Sequence, residues 1–269
     1  MSVKPVDWAI AVAAGLAMLL LFAVLRFALG DWGWVIALPV STAMVLLLLL
    51  EVYRRVKTVV IQEGKQSEAL ISLTRVLPLR TPLPAMREWA VSPDFARVLV
   101  WLLQERRPGL VLELGSGVST VVTGYMLKQA GFGCMVSLDH DANYSAETRR
   151  QLALHELQDL CTVVTASLEQ VDVNGHGSRW YDAAATADIK SIDMLIVDGP
   201  PSVDRWSRYP ALPLLIEKLS DVATVVVDDY KRDQSYVESW LRDYPEFQIE
   251  EFDTEKGTAV LRRVAESVS

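Results

Sequence analysis

Three groups of residues in this chain have types and spacings that can do chemistry. The first is Glu113-Leu-Gly115-Ser-Gly117-Val-Ser119-Thr120. Paired glycines let a backbone turn tightly and approach a ligand, and a helix starting just after them presents free amides. The second is Asp139, followed by His140 and Asp141; a carboxylate at this distance from the glycines can accept hydrogen bonds from both hydroxyls of a ribose. The third combines Asp198-Gly-Pro-Pro201 with Asp228-Asp229. Three carboxylates brought to one place offer oxygen ligands suited to a hard divalent cation such as Mg2+. The same aspartates can instead cap helices, bind substrate or take a proton from a nucleophile.

The glycine group discriminates between ligands. A dinucleotide site would carry a third glycine where Thr120 stands, and Glu113 would crowd a pyrophosphate with like charge. Glu113 can instead help to hold an ammonium, directly or through water. No Gly-x-x-x-x-Gly-Lys-Ser/Thr phosphate loop is present. The pattern favours a nucleoside bearing a cationic amino-acid tail. Arg205, Trp206, Arg208, Tyr209, Tyr230, Lys231 and Arg232 form a basic, aromatic group that reads either as a binder of an anionic or sugar-like acceptor or as a solvated rim. Asn174-Gly-His-Gly177 reads as a loop, and three histidines in the whole chain make a zinc site a poor expectation.

These residues need elements to position them. A helix is expected around Pro93–Gln104, then strand Leu110–Leu114, a helix from about Ser119 to Ala130 and strand Cys134–Leu138 ending at Asp139. A helix over Ser145–Leu157, strand Thr162–Thr165 and strand Ile192–Val197 follow. After a helix near Ala211–Leu219 come strand Ala223–Val227, a helix over Asp233–Tyr244, and a terminal hairpin of Phe247–Phe252 and Thr258–Arg263. Short apolar strands alternating with helices predict an α/β, doubly wound, mostly parallel sheet of Rossmann-like type, with the β-hairpin at its end. Ligands of such sheets bind beyond the carboxyl ends of the strands, where all three groups fall.

The N-terminal part is different in kind. Between Trp8 and Leu50 the only charges are Arg26 and Asp31, leaving uncharged runs over Trp8–Leu25 and Trp32–Leu50. Each is close to the ~20 residues that cross the hydrocarbon core as a helix, and Trp8, Trp32 and Trp34 suit interfacial positions. A cleaved signal peptide, with an apolar core of only ~7–15 residues, would leave the second run unexplained. A transmembrane helical hairpin over residues 1–50 is therefore expected, with Pro39 tolerated in its second helix. Lys4 flanks the first span and Arg54, Arg55, Lys57 and Lys65 follow the second, against Arg26 alone in the connection. That bias predicts a multi-pass protein of the cytoplasmic (inner) membrane with both ends in the cytoplasm. Residues 51–84 read as a helical linker closed by Leu77-Pro-Leu-Arg-Thr-Pro-Leu-Pro84, and the linker can extend the helix, pack on the domain or support a homo-oligomer. The soluble domain then spans 85–269.

The net charge of −8 falls entirely after residue 50, so no nucleic-acid partner is expected, since phosphates call for a basic face. Cys134 and Cys161 make no disulfide framework.

Together, Glu113-Leu-Gly115-Ser-Gly117, Asp139, Asp198-Gly-Pro-Pro201 and Asp228-Asp229 resemble the class I S-adenosylmethionine-dependent methyltransferases, over about Val91 to Val264. The resemblance implies a sheet whose terminal hairpin inserts an antiparallel strand. It implies that Glu113, Gly115, Gly117 and Ser119 surround the methionine part of the cofactor. Asp139 would bind the ribose, His140 and Asp141 would lie near the adenosine rim, and Ser167 near the adenine. Asp198, Asp228 and Asp229 look like the metal site of catechol-type O-methyltransferases. Two departures stand out: the second pair is Asp-Asp rather than acid and amide, and Pro201 occupies the position of that family's lysine base. The resemblance thus implies a membrane-anchored enzyme that uses S-adenosyl-L-methionine, with Mg2+ or another divalent cation where Asp198, Asp228 and Asp229 are its ligands. Asp198 or Asp228 is the candidate base, and the acceptor is a small or membrane-proximal molecule, with O-methylation the expected chemistry. The alternatives are a non-catalytic binding module for the same nucleoside and a nicotinamide oxidoreductase.

Overall fold

The computed structural model describes residues 5–86, 89–202 and 206–264. It divides into two compact units, Met1–Glu63 and Gly64–Ser269.

In the first unit, helix α1 (Pro5–Leu29) is followed by a short 3-10 turn (Gly30–Trp32) and helix α2 (Gly33–Val76). Gly30 takes φ +58°, which costs glycine little, and Gly33 comes so close to the Leu25 carbonyl that a Cβ there would lie 2.7 Å from it. From Val35 onward α2 is long and apolar enough to cross a membrane, with a mean hydropathy of 2.4 in its most apolar stretch. It runs without interruption through Pro39 and on to Val76, covering the first part of the region read as linker.

The second unit begins inside α2, whose Ala69 and Leu73 are buried, as is Leu77 just beyond it. Helix α3 (Pro93–Arg106) leads to strand β1 (Leu110–Leu114), helix α4 (Val118–Ala130), β2 (Cys134–Asp139), helix α5 (Ala142–Leu154) and β3 (Cys161–Thr165). A two-stranded antiparallel sheet follows, β4 (Leu168–Val173) with β5 (His176–Tyr181). Then come β6 (Ile192–Val197), helix α6 (Ala211–Leu215), β7 (Leu219–Val227), helix α7 (Tyr230–Asp243), β8 (Phe247–Phe252) and β9 (Thr258–Arg263).

The main sheet has the order β3-β2-β1-β6-β7-β9-β8. Its first five strands are parallel, and β9 pairs antiparallel with both β7 and β8. The expected doubly wound sheet with an inserted hairpin strand is therefore present. Alternation along the strands feeds a core on each face. Val111, Met194, Ile196 and Val226 pack with α3 and α4, whereas Leu112, Leu114, Leu195, Val197 and Val225 pack with α6 and α7. Chain progress reverses between β1 and β6, so the crevice for a ligand opens at their carboxyl ends.

Asn174–Gly177 is not a loop. Asn174 and Gly175 form the two-residue turn of the β4–β5 hairpin with φ +55° and +80°, and His176 and Gly177 belong to β5. That pair of positive φ values is what an Asn-Gly hairpin turn supplies.

Candidate functional site

The strand ends are stitched together by backbone bonds: Gly115 N donates to Leu138 O at 2.8 Å, Asp198 N to Leu114 O at 3.0 Å, and Asp228 N to Val197 O at 3.1 Å. These bonds set the three residue groups side by side. At the centre two glycine backbones touch. Gly115 takes φ +93°, and a Cβ on it would press within 3.1–3.2 Å of Gly199 N and the Asp198 carbonyl carbon. A Cβ on Gly199 would lie 2.5 Å from the Tyr181 hydroxyl. Neither position admits another residue without shifting its neighbour.

Beside this contact lies a cavity of about 490 Å3, within the range of small-molecule sites. Gly115, Ser116, Asp139 and His140 form part of its wall, and Asp198, Asp229, Arg208, Arg232 and Lys256 form another part, with Trp89 and Tyr144 also lining it. Asp139 is nearly buried. Its Oδ2 accepts from Ser116 N at 3.0 Å and Ser116 Oγ at 2.7 Å, and its Oδ1 accepts from Asp141 N at 3.0 Å. It thus holds the glycine turn while keeping acceptor capacity toward the cavity. His140 Nδ1 stands 3.5 Å from the same carboxylate. Asp141 caps α5 by accepting from Asn143 N and Tyr144 N.

Glu113 is placed elsewhere. It lies on the β1 face that packs under α4, is fully buried, and accepts from Thr120 Oγ1 at 2.5 Å and Ser137 Oγ at 2.6 Å. Burial pushes its carboxyl up to about 7, against the pull of these hydroxyls. Thr120, at the third glycine position, links the turn to this carboxyl. Its hydroxyl accepts from Gly117 N at 2.9 Å and donates to Glu113. Gly117 is the N-cap of α4, Ser119 is buried in the first turn of that helix, and Ser167 is exposed beyond β3; none of the three lines the cavity.

Asp198, Asp228 and Asp229 converge, each offering a carboxylate oxygen within 4.8 Å of the others. Asp228 is fully buried, and neither of its carboxylate oxygens has a hydrogen-bond partner among the described residues. Burial, together with Asp198 and Asp229, raises its carboxyl well above the usual range. Asp198 is pushed up to about 7 by burial, while Arg208 opposes the rise. A buried carboxylate without a donor requires a proton or a cation, and the oxygen-only donor set fits a hard divalent ion.

Three basic residues complete the group: Arg208, Lys256, and Arg232, whose Nη2 stands 3.1 Å from Asp229. Arg208 is buried, which sets aside for it the solvated-rim alternative of the sequence reading. Its Nε donates to Pro200 O at 3.0 Å, its Nη1 lies 3.1 Å from Asp229 and 3.5 Å from Asp233, and its Nη2 binds the Asp198 carbonyl. Lys256, from the β8–β9 loop, stands 3.7 Å from Asp229 and 4.0 Å from Asp228. The sequence reading passed over Lys256, Tyr181, Ser116, Trp89 and Tyr144.

The rest of the basic, aromatic group disperses. Arg232 reaches the cavity while bonded to Asp233 at 2.7 Å through both nitrogens. Lys231 turns to Asp253 and the Thr254 carbonyl, and Tyr230 to Glu251. Trp206 stacks on His176 at 3.8 Å, and Tyr209 accepts from Asn174. Arg205 lies outside the described residues.

Residues 112–230 match the family model described as a methyltransferase domain. No curated protein sequence matches the chain. Three solved structures are similar in fold. The SAH-bound Podospora anserina methyltransferase PaMTH1 gives a TM-score of 0.52 at 12% identity, covering 74% of this chain and 87% of that one. Cofactor-bound Rv0187 from MTB gives 0.51 at 16% identity, covering 75% and 91%. The O-methyltransferase TomG from Streptomyces achromogenes, in complex with SAM, gives 0.50 at 15% identity, covering 74% and 89%.

Proposed function

Given the match of residues 112–230 to a family model described as a methyltransferase domain, we propose that the chain is an S-adenosylmethionine-dependent methyltransferase that methylates a hydroxyl oxygen of an acceptor bound beside Asp198. The observation that carries this reading is the single cavity whose wall holds both the Gly115–Ser116–Asp139 turn and the Asp198–Asp229 carboxylates. Asp139 would accept the ribose hydroxyls, and the backbone at Gly115 would let the amino-acid part come close. When bound there, S-adenosylmethionine would supply an electrophilic methyl to the acceptor oxygen and leave as S-adenosylhomocysteine, the electron pair of the broken carbon–sulfur bond staying on sulfur. Alignment of nucleophile, methyl and sulfur supplies several kcal/mol of the barrier.

The hydroxyl must also lose its proton. Without a cation, Asp198 is the base: it lines the cavity, and its carboxyl is pushed up to about 7 by burial. Asp228 is fully buried and is not among the residues that line the cavity, so it does not face the acceptor. Asp198, Asp228 and Asp229 are the residues that would hold a divalent cation. When bound, such a cation lowers the pKa of the acceptor hydroxyl and orients it.

The apolar α2 supports a membrane anchor, with α1 as the second arm of the hairpin and the catalytic unit on the cytoplasmic side, as the basic residues after Leu50 favour. Such a location suits an acceptor near the membrane surface.

Isothermal titration of the full-length chain in detergent with S-adenosylhomocysteine and with NAD tests the cofactor assignment. Binding of the first and not the second is expected; the reverse would replace the transferase by an oxidoreductase.

A further inference from the structure

We propose that Lys256 is a tethered counter-ion that competes with a divalent cation for Asp228 and Asp229. The inference rests on the metal reading above, but concerns a residue from the β8–β9 loop, an element separate from both carboxylate-bearing strand ends.

Lys256 Nζ donates to Ala90 O at 3.2 Å. Its charge faces Asp229 at 3.7 Å and Asp228 at 4.0 Å. At these separations the ammonium attracts both carboxylates yet gives Asp228 no hydrogen bond, and Asp228 is left buried with two bare oxygens among the described residues. The amine therefore supplies charge without coordination. A divalent ion supplies both, and would enter beside an ammonium of like sign. Arg208 and Arg232 are placed differently. Both also stand 3.1 Å from Asp229, but each is tied in addition to Asp233, Arg208 further holds the carbonyls of Pro200 and Asp198, and neither has an ion pair with Asp228. Lys256 is the basic residue of the group that can leave by moving its side chain alone.

The backbone that carries it is pinned on both sides. Glu255 N donates to Asp94 Oδ2 at 2.8 Å, and Asp94 is buried and also accepts from Ser92 Oγ at 2.6 Å. Lys231 N donates to Lys256 O and Tyr230 N to Gly257 O, both at 3.1 Å. Lys65 in α2 holds Asp253 at 3.2 Å. The loop stays in place, whereas the lysine stem is flexible, partly exposed and already on the cavity wall. Cation entry would move the amine from the carboxylates into the cavity, where it adds positive charge facing the acceptor.

The test is Mn2+ titration of the full-length chain in detergent, followed by calorimetry and by the electron paramagnetic resonance of free Mn2+. Lys256→Gln should bind Mn2+ at least about tenfold more tightly than the wild-type chain, since a like charge beside the carboxylates has been removed. Lys256→Arg, which keeps the charge, should stay close to wild type. Asp228→Asn added to Lys256→Gln should abolish the gain, which locates the ion at the carboxylates. If the glutamine variant unfolds, Lys256→Met provides the same comparison. Equal or weaker Mn2+ binding after loss of the lysine overturns the proposal. Absence of Mn2+ binding in every chain overturns it together with the metal reading, and retained binding of S-adenosylhomocysteine by the same preparations leaves the methyl-transfer reading standing.

Discussion

Replacing Arg208 by methionine should destabilise the catalytic unit more than any exposed substitution around the cavity. Methionine fills most of the volume of the arginine stem, so the loss is mainly electrostatic. Asp233 keeps both bonds from Arg232 at 2.7 Å, and Asp229 keeps Arg232 at 3.1 Å and Lys256 at 3.7 Å. Asp198 fares worst, losing the guanidinium at 3.5 Å from its carboxylate as well as the bond to its carbonyl. Breaking a buried ion pair from one side costs about 3–5 kcal/mol. For a unit of this size each kcal/mol moves Tm by ~2–4 °C, so the midpoint should fall by about 6–20 °C. The assay is thermal unfolding of the full-length chain in detergent, read by tryptophan fluorescence. Arg208→Met combined with Asp198→Asn should recover part of the loss, with a coupling above about 1 kcal/mol. The deficit should also shrink toward pH 5. Asp198 has its folded-state pKa raised, so its ionised form is the unfavourable one, and the penalty fades as pH falls through about 7. A midpoint shift below about 2 °C at pH 8, or strictly additive double-variant effects, would refute the reasoning.

Asp139→Ala should weaken S-adenosylhomocysteine binding by roughly 1.5–3 kcal/mol, the scale of lost charge-assisted hydrogen bonds; calorimetry reads it, and an unchanged Kd in a folded variant removes Asp139 from the cofactor site. Glu113→Gln should flatten the pH dependence of stability. Folding raises this carboxyl from 4.5 to about 7, so its contribution is complete below about 4.5 and is lost as pH rises toward and through 7; parallel melting curves against pH for variant and wild type would exclude it. A reporter fused after Ser269 should be cytoplasmic and sediment with membranes, and a signal from the opposite side would overturn the proposed orientation.

Much of the fold can be read from the sequence because apolar strands alternate with helices and end in polar residues. Strands β1, β6, β8 and β9 lie where the pattern puts them, and Asp139, Asp198 and Asp229 share one cavity because strand ends of a parallel sheet converge. The misses have physical causes. Helices α5 and α7 start three residues early, and the Asp141 cap that begins α5 is a signal the sequence does carry. The β4–β5 hairpin mixes polar and apolar residues too irregularly for a period-two pattern, although its Asn-Gly turn is visible in the sequence. Glu113 alternates with Leu112 and Leu114 on a strand covered on both faces, so its side chain goes under α4 rather than into the cavity. Arg208 comes from the connection ten residues after Asp198, and Lys256 from the β8–β9 hairpin loop. Only the folded sheet brings them to Asp198 and Asp228, and no local spacing encodes that.

The most direct test of the central claim is a crystal structure of the chain with S-adenosylhomocysteine bound. The ribose hydroxyls should lie on the Asp139 carboxylate and the amino-acid part against Gly115, with the sulfur turned toward the wall formed by Asp198 and Asp229. S-adenosylhomocysteine bound away from Asp139, or with its sulfur pointing away from the carboxylates, would contradict it.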